Sequence, residues 1–260
     1  MQERSSHQVR WTGWMGLAGG LLVLLTPALA WAAARPGSLL GPSPLLTMLL
    51  LAAVGLAALA FLMVSSFVKI AVVLAILRSA LGMAQIPPAT VVTGLALVLS
   101  LYVMAPVGAA MGVKLQPAFA EISQTSQGKT KPDTGKILDS ATEAAEPLRA
   151  FLAKNAHPAE RAMFSRMARR RMPNSAAADP NGFLVLVPAF VVSELSEAFQ
   201  IGFLLFLPFL IIDLVVSNVL MALGMHMLSP ATVSLPFKLL LFVMADGWHL
   251  LTRGLVASYF

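Results

Sequence analysis

The chain has 260 residues, of which 58% are hydrophobic and 12% charged. Soluble domains carry about 25% charged residues, so this balance, with the apolar residues blocked into long runs, points to a membrane protein. The absence of cysteine excludes a disulfide framework and a thiolate metal site, and the net charge of +6 comes with no nucleic-acid-binding motif.

Residues 1–34 read as a secretory signal peptide. Arg4 and Arg10 give a basic start, Leu17 to Leu25 an apolar stretch, Pro27 a break, and Ala28-Leu29-Ala30 the small residues a peptidase reads. A short uncleaved anchor is the alternative. Residues 35–113 form a first hydrophobic region. Its run from Pro36 to Phe67 is uncharged and longer than the roughly 20 residues a membrane helix needs, with a helix start near Leu45. Lys69 and Arg78 flank a short apolar stretch. Gly82, Pro87 and Pro88 break the helix that follows, and Pro106 is expected to kink or end the next run.

Residues 114–182 change character. Charges become dense, Ser123 to Gly135 reads as a loop, and Glu143 to Arg171 suits one or two amphipathic helices with Leu148, Phe151 and Leu152 on one face. Residues 183–260 form the second hydrophobic region. Phe199 to Met227 is a candidate helix or hairpin and Leu235 to Tyr259 another, with Ser229, Pro230 and Pro236 marking the turn. A cleaved signal peptide places the central segment outside the cell. Its 11 Lys/Arg against 7 Asp/Glu favour the inside, and the signal peptide is the stronger guide.

The second hydrophobic region carries isolated charges, each costing at least about 2.5–3.5 kcal/mol at bilayer depth unless partnered. Glu194 and Glu197 share one helix face, Asp213 follows more than four turns on, and Lys238 and Asp246 fall in the last helix. Read from the residues, three uses stand open: pairing between protomers, pairing within one chain, or a proton relay. Catalysis finds no support. His7, His157, His226 and His249 are scattered, no nucleophile elbow or phosphate loop exists, and Asp246 with His249 is too few ligands for a metal. The expectation is an all-α membrane protein of bent helical hairpins with a small polar insertion, without cofactor and not an enzyme.

Two long motifs are familiar. The first is Ser66-Phe67-Val68-Lys69-Ile70, continued by Leu77-Arg78-Ser79-Ala80-Leu81-Gly82, Gln85-Ile86-Pro87-Pro88 and Tyr102-Val103-Met104-Ala105-Pro106-Val107. The second runs from Phe199-Gln200-Ile201-Gly202-Phe203 through Pro208 to Val216 and Ala222-Leu223-Gly224-Met225. It ends with Ser234-Leu235-Pro236-Phe237-Lys238-Leu239 and Phe242-Val243-Met244-Ala245-Asp246-Gly247-Trp248. Together they resemble the FliP/SctR family of type III secretion export-gate subunits, over about residues 45–112 and 183–258. Lys69, Ala105-Pro106-Val107-Gly108 and Leu228-Ser229-Pro230 look more like the injectisome branch, and the signal peptide more like the flagellar branch.

The resemblance implies a homopentamer joined by a small FliQ/SctS-like and a large FliR/SctT-like subunit, next to FlhB/SctU-like and FlhA/SctV-like components. Unfolded substrates cross the bacterial inner membrane through its lumen. It implies interprotomer pairs, Asp213 with Lys238 of a neighbour and Glu194 with Lys69. It also implies that Met225, His226 and Met227 form a methionine-rich gasket, for which the bland alternative is core packing. Where His226 stands, family members often carry methionine. Five protonated rings would repel, so ion leakage is expected to rise in mild acid and to lose that rise in His226→Met. A proton-coupled secondary transporter using Glu194, Asp213 and Asp246 is the competitor from another class, and an intramembrane hydrolase a third. Transporters often carry internal repeats, and none is visible here.

Overall fold

The computed structural model of the chain describes residues 44–82, 87–126, 134–172 and 179–260. The expected signal peptide, Gln85 and Ile86 of the first motif, residues 127–133 of the expected loop and Pro173 lie outside the described residues. The chain divides into residues 1–61 and residues 62–260. In the first unit the described element is the uncharged helix α1, Pro44–Met63. It opens on a proline, whose missing N–H is harmless in a first turn.

The second unit begins with α2, Phe67–Ala80. Its buried residues Ile70, Val73, Leu74 and Leu77 recur at helical spacing and form one face. The helix ends at Leu81, and Gly82 follows with φ +76°, a conformation that costs glycine little. Pro87 and Pro88 then precede α3, Ala89–Ser126. The three breakers Gly82, Pro87 and Pro88 thus sit where the sequence places them.

Pro106 does not. The 38-residue α3 runs through both Pro106 and Pro117, across the expected region boundary at 113 and into the expected loop. A proline removes one helical hydrogen bond and crowds the preceding turn. Here α3 continues because it packs on α2 and on α4, Thr134–Asn155, which hold both sides of the interruption. Helix α5, Pro158–Arg171, completes the polar insertion as two helices. Phe151 and Leu152 face inward as expected, and Phe151 lies against Phe190 with ring centroids 5.7 Å apart.

Helix α6, Phe183–Ala222, is one 40-residue element with Pro188 and Pro208 inside it, so no hairpin forms between residues 199 and 227. Then come α7, Pro230–Met244, and α8, Gly247–Ala257, bent 61° from each other. Pro230 starts α7, but Pro236 lies within it and marks no turn. The break falls at Asp246 instead, a non-glycine residue at φ +50°. Short polar side chains tolerate that left-handed state better than most.

Among the described residues every regular element is a helix, and α3 and α6 are long and apolar enough to cross a membrane. The α7–α8 pair would add a third, broken span. The chain is an all-α membrane protein. One core cluster joins α2 to α6, α7 and α8 through Val73, Leu77, Phe209, Phe242 and Leu251. The other joins α3, α4 and α6 through Met104, Leu152, Leu186 and Phe190. At Gly202 a Cβ would lie 2.4 Å from the Ile76 Cδ1 atom, so glycine is what lets α2 and α6 touch there.

Candidate functional site

Two ionic sites are built on α6, one at each end of its contact with α2. At the first, Glu194 and Glu197 stand one turn apart and both face Lys69 of α2. Lys69 Nζ lies 3.1 Å from Glu194 Oε1 and 2.6 Å from Glu197 Oε2. Lys69 is 1% exposed and Glu194 fully buried. Tyr259, just past α8, donates its hydroxyl proton to Glu194, and the Lys69 ammonium sits 4.2 Å from its ring centroid. The Tyr259 ring stacks on Phe151, 5.9 Å away, and Lys154 donates to the Tyr259 carbonyl at 2.9 Å. On the outer side, His157 Nε2 meets Glu197 Oε1 at 2.6 Å. Beside the site, Ser66 and Ser100 tie the start of α2 to α3, with hydroxyl oxygens 3.1 Å apart.

At the second site, Lys238 of α7 pairs with Asp213 of α6, Nζ to Oδ2 2.7 Å. Ser234, one turn before Lys238, donates to the other Asp213 oxygen at 2.5 Å. Lys238 also donates to the Ala80 carbonyl at the end of α2, 3.1 Å away. This caps an orphan acceptor of the kind helix ends leave.

Within the single chain, Lys69 meets Glu194 and Lys238 meets Asp213. The physical reason is local. A buried ammonium is tolerated only with its counter-charge at contact distance, and the α2–α6 and α6–α7 contacts supply it without a second copy. Lys238 lies inside α7, where it reaches both α2 and α6.

Met225, His226 and Met227 occupy the turn between α6 and α7 and are all exposed, Met227 at 99%. Core packing within the chain does not describe them. Asp246, expected within the last helix together with Lys238, is the residue before α8 at the bend. Sequence reasoning missed His157, Tyr259 and Ser234 as members of the ionic sites, and assigned Glu197 no partner. Spacing offered one hint: Glu197 shares the face of Glu194. Pro158 at the first position of α5 also marks His157 as the residue before a helix. Nothing local marks Tyr259, whose contacts lie 65 or more residues away.

Fold and site define a class: an all-helical membrane protein whose apolar helices carry charges sealed by opposite charges, with a polar helical hairpin folded onto the same bundle. The chain belongs to the FliP family, which it matches over residues 50–255. It is 49% identical over 199 residues to the Yop proteins translocation protein R of Yersinia pestis, covering 76% of this chain and 88% of that protein. It is 44% identical over 215 residues to the hypersensitivity response secretion protein HrcR of Ralstonia nicotianae, covering 81% and 96%. It is 42% identical over 254 residues to the flagellar biosynthetic protein FliP of Pectobacterium carotovorum, covering 94% and 92%. These relatives are named for translocation, secretion and flagellar biosynthesis, and none of the names describes a catalyst.

Proposed function

We propose that the chain is a structural and gating subunit of a type III protein-export apparatus, embedded in the bacterial inner membrane within the basal body. Family membership and the relatives' names carry the export role. The finer reading is a ring of five copies, joined by the small and large gate subunits, through whose lumen unfolded polypeptides pass. Its supporting observation is the α6–α7 tip. There Met221, Met225, Met227 and Leu228 project uncovered beside His226 at the end of two apolar helices. Flexible thioethers can close on one another and yield to a passing chain of any sequence. The injectisome branch fits the first motif better, and the flagellar branch is the alternative.

In that ring Lys69 with Glu194 and Lys238 with Asp213, which meet within one chain, are the pairs proposed to lock neighbouring copies in register. The lower half of α6 offers a further surface: Phe199, Phe203, Ile211, Leu214 and Val215 stand exposed along it. Native mass measurement of the detergent-extracted complex, co-produced with the small and large gate subunits, tests the reading. Five copies of this chain with the two partners are expected. A lone monomer would overturn the ring and leave the transporter as the better account.

A further inference from the structure

After Ala198, helix α6 shows two different apolar faces. An α-helix turns about 100° per residue, so Phe199, Phe203, Leu210 and Leu214 fall within about 60° of one another and form a ridge. All four are exposed, the two phenylalanines at 62% and 64%. Ile201, Leu205 and Pro208 point about 180° away from that ridge. With α7 and α8 they wall an apolar groove of about 490 Å³, lined also by Phe209, Leu241 and Leu255.

Two glycines of α8, Gly247 and Gly254, line the groove, for different reasons. A Cβ at Gly247 would lie 2.3 Å from the Phe242 ring, so the chain's own packing requires that glycine. A Cβ at Gly254 would meet nothing within 4 Å. Gly254 lies inside α8 and is not among the positive-φ glycines. Glycine weakens a helix interior by about 1 kcal/mol relative to alanine, and no contact within the chain calls for it here. What a bare backbone on an open face permits is the close approach of a group from outside.

The chain itself carries a group of matching chemistry, the ridge. Ridge and groove lie on opposite faces of one helix, so they can meet only between copies. A head-to-tail contact of this kind repeats from copy to copy and makes a ring when its rotation closes. The area suffices. From Phe199 to Leu214, six large apolar side chains are at least 40% exposed. At roughly 100 Å² of open surface each they offer about 600 Å², one partner's share of the smallest stable interfaces. No charge opposes the contact: the ridge has none, and Asp246 and Arg253 lie outside the groove lining.

We infer that the Phe199–Phe203 ridge of one copy docks into the α6–α7–α8 groove of the next, with a phenyl ring seated over Gly254. The contact rests on the five-copy ring and says which two faces build it. Ridges entering grooves are the ordinary way helices pack. A groove with a glycine in its wall selects a ring-bearing ridge, because the missing side chain leaves room for one.

The chain has no cysteine, so paired cysteines read the contact directly. Phe203→Cys with Gly254→Cys is co-produced with the small and large gate subunits and oxidised in detergent. Within one chain the two positions stand on opposite sides of α6, beyond the reach of about 7 Å between Cα atoms that a disulfide allows. A non-reducing gel is expected to show a ladder of linked copies reaching five, while either single variant stops at two. Gly254→Leu places a side chain in the groove. It should leave the unfolding midpoint of the separate chain unchanged and lower recovery of the five-copy complex at least about tenfold, the scale of a change at an interface centre. A five-copy complex without the ladder, as lipid or another subunit in the groove would give, overturns the docking and leaves the ring standing. Wild-type recovery in Gly254→Leu does the same. A lone monomer of the unaltered chain removes both. Should Gly254→Leu lower the midpoint, the ladder decides.

Discussion

The two halves of α6 are similarly apolar in sequence and differ in what covers them. From Phe183 to Ala198 the helix is packed, with Val185, Leu186, Ala189, Phe190, Ser193, Glu194 and Ala198 buried. From Phe199 to Ala222 most large side chains are open, among them Phe203, Leu204, Leu214 and Val219. The difference comes from the polar insertion. Helices α4 and α5 fold back on the first half and leave the second to other chains or lipid. Hydropathy reports that a side chain avoids water and is silent on what replaces the water. An extended uncovered apolar face is the informative case, because it marks an interaction surface.

The largest effect that should break this comparison is Lys69→Met. It strands Glu194 and Glu197 in the packed half, at a cost of about 3–5 kcal/mol. Chemical unfolding in detergent, followed by helical circular dichroism, should register it, and adding Glu194→Gln and Glu197→Gln should recover part of the loss. A smaller pair of effects sharpens the contrast between halves. Phe190→Ala removes a ring packed on Phe151 and is expected to cost about 3 kcal/mol. Phe203→Ala removes an exposed ring and is expected to stay within about 0.5 kcal/mol in the separate chain. The same Phe203→Ala change should lower recovery of the multi-subunit complex on native mass measurement. Equal costs for the two phenylalanines in the separate chain would erase the distinction.

Much of the fold is legible in the sequence where the signal is local. Gly82 and the Pro87-Pro88 pair end one helix and start the next because backbone geometry acts at its own position. The 3.6-residue recurrence of Ile70, Val73, Leu74 and Leu77 is likewise a local pattern. Pro236, expected at a turn, misleads for the complementary reason, and Pro106 does not end its helix. A single missing hydrogen bond ends a solitary helix but not one held on both sides by neighbours, and sequence does not reveal neighbours. The charges divide in the same way. Glu194 and Glu197 announce a shared face by spacing. Their closure onto Lys69, His157 and Tyr259 spans up to 128 positions of chain by way of the fold, with His157 itself 40 residues from Glu197. That Asp213 finds Lys238 inside one molecule depends on α7 folding back along α6, which no residue count dictates.

The close approach at Gly202 turns α2 into a spacer bar. Lys69 anchors one end of that helix and the Ala80 carbonyl the other, about 16 Å apart at the rise of an α-helix. Ile76 sits between them, seated on the bare backbone of Gly202. A side chain at position 202 would meet Ile76 between the two fastenings, so the seat of this bar is made where a side chain is missing.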